Sequence, residues 1–527
     1  MVQTQETKDK IVRSTGVVSS ATLLSRVFGL IREQVFAYLF GAGLATDAFV
    51  AAFRIPNLLR DLLAEGALSS AFIPVFTEKL TLQGKEEAFR LTNLVINLLL
   101  IVLSIIIISG IIFSPVIVDL IAPGFNKVEG KIELTALLTR IMFPFLLLVS
   151  LAAVCMGILN SLGKFGAPAL APTMLNLGMI LAGFLISPFL KTPIMGMAIG
   201  VLLGGAGQLL IQVPVLFRLG YRYKAILDWR DPGVKKILWL MTPAILGLAS
   251  TQVNIFVNTL IASLLPQGSV SYLNYSFRLM HFPLGVFGVA VATVTFPILA
   301  ARAAQNNFGE LVSTCGSSMK LIFFLTLPST IFLAVGAKPI ISLLYQHGKF
   351  IYTDTQATSQ ALLLYAIGLF AYASVRVLAP VFYALGEAKV PVISSAIAVG
   401  ANISLNLVLM HPLSFRGLAL ATSISAVLNM AILFNKLDKR VGPFDKKDLR
   451  DSFLKILLAS FLMGVLLQGF LLLYRVDLDK GSLIQKLVLV LVMVIVSFFS
   501  YLFFARVLQI KEVERVLGIL GFKRGKI

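Results

Sequence analysis

Residues 25–74 read SRVFGLIREQVFAYLFGAGLATDAFVAAFRIPNLLRDLLAEGALSSAFIP. The stretch has the length and apolar background of two membrane-crossing helices joined by a turn at Gly41-Ala42-Gly43. It nevertheless carries eight charges: Arg26, Arg32, Glu33, Asp47, Arg54, Arg60, Asp61 and Glu65. Each charge at the centre of a bilayer helix costs about 2.5–3.5 kcal/mol on insertion scales. So many polar groups do not face lipid. They are expected to line a water-filled cavity inside a bundle, where such residues mark function.

The rest of the chain supports a membrane setting. Of 527 residues, 58% are hydrophobic and 13% charged, with mean hydropathy +0.92. A soluble domain is about 45–50% apolar and about 25% charged. The ten-residue alternation of a barrel strand is absent, so helices are expected to do the spanning. Fourteen spans are read: 17–40, 46–76, 91–114, 134–161, 168–189, 193–217, 236–264, 270–299, 320–336, 357–385, 390–410, 417–435, 452–474 and 484–506. An even number puts both termini on one side. Between those bounds the loops on that side hold 25 Lys and Arg against 8 on the other, which predicts that both termini are cytoplasmic.

The sequence also repeats. At a shift of 224 residues Phe53-Arg54 falls on Phe277-Arg278, Pro115 on Pro339, Gly124 on Gly348 and Ser150 on Ser374. At a shift of 223, Pro74 meets Pro297, Leu162-Gly163 meets Leu385-Gly386 and Pro168 meets Pro391. Two six-span repeats of the same orientation are expected, with a substrate cavity between them. The predicted division is a cytoplasmic N-terminus (1–16), an N-lobe (17–217), a cytoplasmic loop (218–235), a C-lobe (236–435), a second cytoplasmic loop (436–451), an extra helix pair (452–506) and a cytoplasmic tail (507–527). Spans five, six and thirteen are nearly free of charge and are expected to face lipid. Spans one, two and eight are expected to line the cavity.

Several function classes recede. The net charge of +20 follows the topogenic loops, and no basic domain outside the membrane is long enough to fold on nucleic acid. Cys155 and Cys315 fit neither a metal spacing nor a disulfide framework, and His281, His347 and His411 are scattered. No phosphate-binding Gly-rich loop with its lysine occurs, nor any nucleophile–base pair, so the chain is not expected to be an enzyme. No cofactor and no metal are expected. The first apolar stretch is interrupted by Arg26 and Arg32 and does not read as a cleavable signal.

The arginines carry the chemistry. Arg26 and Arg32 lie on span one, Arg54 and Arg60 on span two, Arg278 on span eight. Arginine is permanently charged and grips phosphate with a two-pronged donor fork, so a set at different depths suits a diphosphate. The alternative is that they pair with Glu33, Asp47, Asp61 and Glu65 as structural glue, since the stretch sums to zero charge. Arg54, whose repeat mate is Arg278, suits a structural role best. Asp47 reads either as a gate partner for an arginine or, with Thr46, as an acid at the start of span two. Glu65 reads as a salt-bridge partner, His281 as a solvated cavity histidine, and Asn254 with Asn258 as interhelical hydrogen bonds. Pro56 is placed to kink span two.

These motifs resemble the MurJ (MviN) lipid II flippases of the MOP exporter superfamily. The resemblance rests on Ser25-Arg26, Gly29-Leu30-Ile31-Arg32, Gly41-Ala42-Gly43, Thr46-Asp47-Ala48-Phe49, Pro56-Asn57-Leu58-Leu59-Arg60, Ala64-Glu65-Gly66-Ala67, Pro123-Gly124-Phe125 and Arg278-Leu279-Met280-His281-Phe282-Pro283, and extends over essentially the whole chain. It implies movement of undecaprenyl-diphosphate-linked peptidoglycan precursor from the cytoplasmic to the periplasmic leaflet of a bacterial inner membrane. It assigns diphosphate binding to Arg26, Arg32, Arg60 and Arg278 and a gate to Asp47; Ser25, Asn57, Arg54 and Glu65 are expected to support these residues. The last two spans would form a groove for the lipid tail. Lipid II, membrane lipids and cell-wall synthases are the implied partners. Two substitutions depart from the family pattern: Phe277 where some members have an acid, and Glu33 where an aspartate is common. No Asp or Glu falls within spans seven to twelve, so membrane potential rather than sodium is the expected drive. The rival functions are a flippase for another polyprenyl-linked saccharide, a drug exporter, and a non-transporting cell-wall scaffold.

Overall fold

The computed structural model describes residues 2–474 and 476–514; the side chains of residues 2–15, 17, 63–65, 244 and 246–251 lie outside that description. Its regular elements among the described residues are all helices, and it divides into two compact units, Met1–Val270 and Ser271–Ile527.

In the first unit α1 (Val2–Phe40) ends at Gly41, whose φ of 65° lies in the left-handed region that glycine tolerates. Then α2 (Leu44–Leu59) runs without a break into a π-helical stretch, Arg60–Leu68, and α3 (Ser69–Leu82). Pro56 lies inside α2 and is expected to disturb the hydrogen-bond ladder. The helix winds wide four residues later, starting at Arg60. Next come α4 (Lys85–Ile112), α5 (Ser114–Ile121), a 3-10 turn at Pro123–Lys127, α6 (Lys131–Met142), α7 (Phe145–Ser161) and α8 (Gly166–Leu185). The unit ends with α9 (Ile194–Leu210), α10 (Val213–Arg218) and α11 (Pro232–Ser263).

Close helix approach depends on small residues. A Cβ at Gly178 on α8 would stand 2.5 Å from the backbone nitrogen of Gly204 on α9. In lipid, where apolar surfaces gain little by meeting one another, such contact supplies the dispersion energy that holds helices together. Nearer the helix ends, Phe72, Phe76, Leu91, Leu94, Ile158 and Val234 close a second core between α3, α4, α7 and α11. Leu181, Phe184, Leu185, Leu203 and Leu210 are exposed on α8 and α9, so spans five and six do present an apolar outer face. They also hold α1, because α8 packs along it.

The second unit contains α12 (Ser269–Pro283), a π-helical stretch at Leu284–Gly288, α13 (Val289–Ala304), α14 (Phe308–Val335), α15 (Ala337–Tyr345), α16 (Tyr352–Ala366) and α17 (Leu369–Ala384). It continues with α18 (Lys389–Leu413), α19 (Phe415–Val441), α20 (Lys446–Leu473) and α21 (Leu483–Val507). The duplication is imprinted on the element boundaries. One π-helical stretch begins at Arg60 and the other at Leu284, 224 residues on. The break between α6 and α7, at Phe143 and Pro144, recurs between α16 and α17 at Ile367 and Gly368. The first helix of the second repeat, α11, packs in the first unit, against α3 and the π-helical stretch.

Each of the fourteen assigned spans corresponds to a helix or a helix pair. Among the described residues ten helices are long and apolar enough to cross a membrane, or eleven if α16 and α17, bent by 42°, count as one span. The spans outside that number are α1, the α2–π–α3 run and α11. Several helices run past the bounds read for their spans: α14 starts twelve residues before span nine and takes in Glu310, and α19 ends six residues after span twelve and takes in Asp438. Span ten begins five residues earlier than the reading placed it, and so takes in Asp354. This carboxylate is buried in the first turn of α16 and accepts from the Ile351 backbone nitrogen at 3.1 Å and the Tyr272 hydroxyl at 3.1 Å. An acid therefore does sit within spans seven to twelve, fixed as a helix-start acceptor.

The extra pair, α20 and α21, packs on α14 through Leu467, Leu489, Met493 and Phe332. Phe461, Leu473, Ile484, Phe499 and Phe503 are exposed along it.

Candidate substrate-binding site

The predicted site residues fall into small, separately built groups. On α1, Arg26 is exposed. Its neighbour Ser25 is tied to α8, because the Asn176 side chain donates to the Ser25 carbonyl at 3.1 Å. Two turns on, Arg32 is half-buried and its Nε donates to Glu33 Oε1 at 3.2 Å; the Glu33 residue is 8% exposed. An adjacent carboxylate so placed orients the guanidinium and offsets its desolvation.

The second group sits where α2 turns π-helical. Arg60 Nη2 donates to Asp61 Oδ1 at 2.9 Å and its Nε to the same oxygen at 3.2 Å. The other carboxylate oxygen of Asp61 accepts from Asn57 at 3.4 Å and from Gln252 of α11 at 3.3 Å. Asn57, expected to support the site, thus acts on Arg60 through Asp61. Gln252 escaped the sequence reading, because one amide in an apolar helix carries no pattern of its own. A π-helical turn shifts every later side chain around the axis, which is why such turns recur at functional positions. Arg54 is half-buried on α2. The Glu65 side chain lies outside the described residues.

The third group is Asp47. It lies in the first turn of α2, as an acid at the start of span two should, but it does not cap the helix, whose N-cap is Gly43 with no side-chain cap bond. Thr46 instead donates to the Gly41 carbonyl at 2.8 Å. The cation against Asp47 is Lys131, in the first turn of α6, with Nζ 2.9 Å from Oδ2. The Gly268 backbone nitrogen donates to the same oxygen at 2.8 Å. Lys131 also stands 4.1 Å from the centre of the Phe125 ring. In the sequence Lys131 falls in the loop between spans three and four, and only its position right after Gly130, at the start of an apolar helix, signals that it turns inward.

In the second unit Arg278 is exposed on α12. His281, one turn on, has Nδ1 2.9 Å from the Phe277 carbonyl, a bond within its own helix. Among the described residues no group of three His, Cys, Asp or Glu could hold a metal ion. Two of the predicted arginines, Arg32 and Arg60, are therefore held by the carboxylate next in sequence.

A family model described as lipid II flippase MurJ matches residues 36–489. The chain belongs to the MurJ lipid II flippase family. It is 39% identical over 435 residues to the probable lipid II flippase MurJ of Vibrio cholerae, covering 81% of this chain and 83% of that one. To the lipid II flippase MurJ of Burkholderia cenocepacia it is 36% identical, covering 82% and 84%. A solved MurJ structure in an inward closed conformation matches with a TM-score of 0.78 at 29% identity, over 93% of this chain and 99% of that one. An inward-facing MATE multidrug transporter of the MOP superfamily shares the fold, with a TM-score of 0.68 at 18% identity over 82% of this chain. MurJ membership makes this a multi-pass membrane transport protein.

Proposed function

We propose that this chain moves lipid II from the cytoplasmic to the periplasmic leaflet of a bacterial inner membrane, with both termini cytoplasmic. The observation that carries the reading is the family match over most of the chain, joined to Arg32 and Arg60, each bonded to the carboxylate next in sequence. Arg26, Arg32 and Arg60 bind the diphosphate, and the family motif assigns Arg278 the same role. Glu33 and Asp61 hold two of these guanidinium groups in place while the substrate is absent. The site is exposed to one leaflet and then the other; Asp47 and its lysine partner belong to the periplasmic gate. The lipid tail stays in the membrane, along the apolar faces of α20 and α21.

An anionic headgroup moving outward travels toward the positive side. Membrane potential then contributes about 2.3 kcal/mol per charge per 100 mV, roughly 4–5 kcal/mol for a diphosphate of about two charges if the arginines stay put. Neither a cofactor nor a metal is needed in this scheme. Cells that depend on this chain test the site: Arg60→Ala should abolish growth with the protein still in the membrane, and normal growth would overturn the assignment.

A further inference from the structure

The segment between α10 and α11 is irregular, yet it is pinned. Two buried asparagines on α4 bind it as backbone substitutes. Asn93 Nδ2 donates to the Arg222 carbonyl at 3.2 Å, and its Oδ1 accepts from the Tyr221 hydroxyl at 2.6 Å and the Lys224 nitrogen at 3.2 Å. One turn on, Asn97 Nδ2 donates to the carbonyls of Lys224 at 2.9 Å and Ile226 at 2.8 Å, and its Oδ1 accepts from the Tyr223 hydroxyl at 2.6 Å. The result is a strap of fixed shape. Arg222, Lys224 and Lys235 project from the strap and from the start of α11. Both tryptophans of the chain lie here and both are exposed, Trp229 at 64% and Trp239 at 74%. Basic residues mixed with exposed indoles are the signature of a protein surface at the headgroup level of an anionic leaflet.

Immediately beyond the strap is an apolar cavity of about 110 Å³ between α4 and α11. Its walls include Val95, Leu99, Val102, Leu238 and Met241, with Ser150 at the back. Val102 and Leu238 are exposed at 43% and 47%, so it opens to the membrane. It is somewhat smaller than a cavity that admits benzene, ~150 Å³, and suits the bent part of one acyl chain. The same two helices carry both features. Asn97, which holds Lys224, precedes the wall residue Leu99 by two positions, and Lys235 lies one turn before Leu238.

We propose that this is a binding site for one anionic phospholipid, its phosphate on Lys224, Lys235 and Arg222 and one acyl chain in the cavity. Charge complementarity above an apolar, membrane-open cavity selects this occupant. Its placement in the cytoplasmic leaflet rests on the loop charge bias; the lipid preference does not.

The two tryptophans make the site directly readable. The full chain is reconstituted in phosphatidylcholine vesicles doped with equal mole fractions of either brominated phosphatidylglycerol or brominated phosphatidylcholine. Tryptophan quenching should be stronger with the anionic lipid. Lys224→Gln with Lys235→Gln should remove the excess several-fold, and the Lys→Arg pair should retain it. Val102→Phe, which fills the cavity mouth, should reduce it. Equal quenching by the two lipids overturns the proposal, as does an excess unaltered by the glutamine pair or by Val102→Phe. Loss of the excess on adding soluble glycerol phosphate would also overturn it, by showing that a free phosphate rather than a lipid is bound.

Discussion

The Asp47 carboxylate and the Lys131 ammonium form an ion pair at 2.9 Å, with side chains 1% and 3% exposed. A buried pair contributes little net stability when intact, because desolvating two charges offsets their attraction. Breaking it by removing one partner is another matter, since a buried charge is left alone. The pair ties α2 to α6, and the bond from the Gly268 nitrogen ties the start of α12 to the same carboxylate. A contact that is costly to break on one side and nearly neutral to remove as a pair suits a latch.

Lys131→Met should therefore destabilise the protein by about 3–5 kcal/mol. The double variant Lys131→Met with Asp47→Asn should recover much of that loss. Thermal unfolding of the detergent-purified proteins measures both; equal loss in single and double variants would show that the ion pair is not the source.

Gly124 is set by its neighbour. A Cβ there would stand 2.1 Å from the Ser263 carbonyl oxygen at the end of α11, and the Gly124 nitrogen donates to Ser263 Oγ at 3.3 Å. Gly124→Ala should cost about 1–3 kcal/mol through overpacking. The check is a lower unfolding temperature for Gly124→Ala than for Gly130→Asn, where nothing lies within 4 Å and asparagine tolerates the positive φ.

Asp61→Asn keeps the shape and removes the charge that Arg60 binds. A charge-assisted bond is worth about 1.5–3 kcal/mol, so the variant should support transport about tenfold less well. The protein should remain in the membrane, and Asp61→Glu should restore part of the function. Unchanged transport in Asp61→Asn would separate Arg60 from its supposed positioning group.

Asn97→Leu leaves the Lys224 and Ile226 carbonyls without their donor, a loss of about 1–3 kcal/mol. The strap should detach before the helices melt. Limited trypsin digestion should then cut after Arg222 or Lys224 faster than in the parent protein.

The helical spans were legible because each needs about twenty apolar residues, a signal too long to arise from a soluble core. The duplication was legible from proline and glycine, which punctuate helices, and the matching π-helical starts at Arg60 and Leu284 show how deeply it runs. The arginines stood out because charge in an apolar run is expensive. Their immediate partners, Glu33 and Asp61, were visible as acids, but no spacing rule announces a pair between adjacent residues. Lys131 was hidden because a lysine near a helix end normally reaches solvent, and only packing shows that this one turns inward. Asp354 was missed through a boundary drawn five residues late. Asn93, Asn97 and Gln252 were invisible, because a single amide gains meaning only from the distant backbone or side chain it meets.

The central claim is that lipid II crosses the membrane through the arginine site. A bacterium whose own flippase has been replaced by this chain is treated from outside with a toxin that cleaves lipid II in the outer leaflet. The account predicts cleavage with the parent protein and none with Arg60→Ala, both proteins being present in the membrane at equal levels. Cleavage persisting with Arg60→Ala would show that the precursor crosses without that arginine, and would contradict the account.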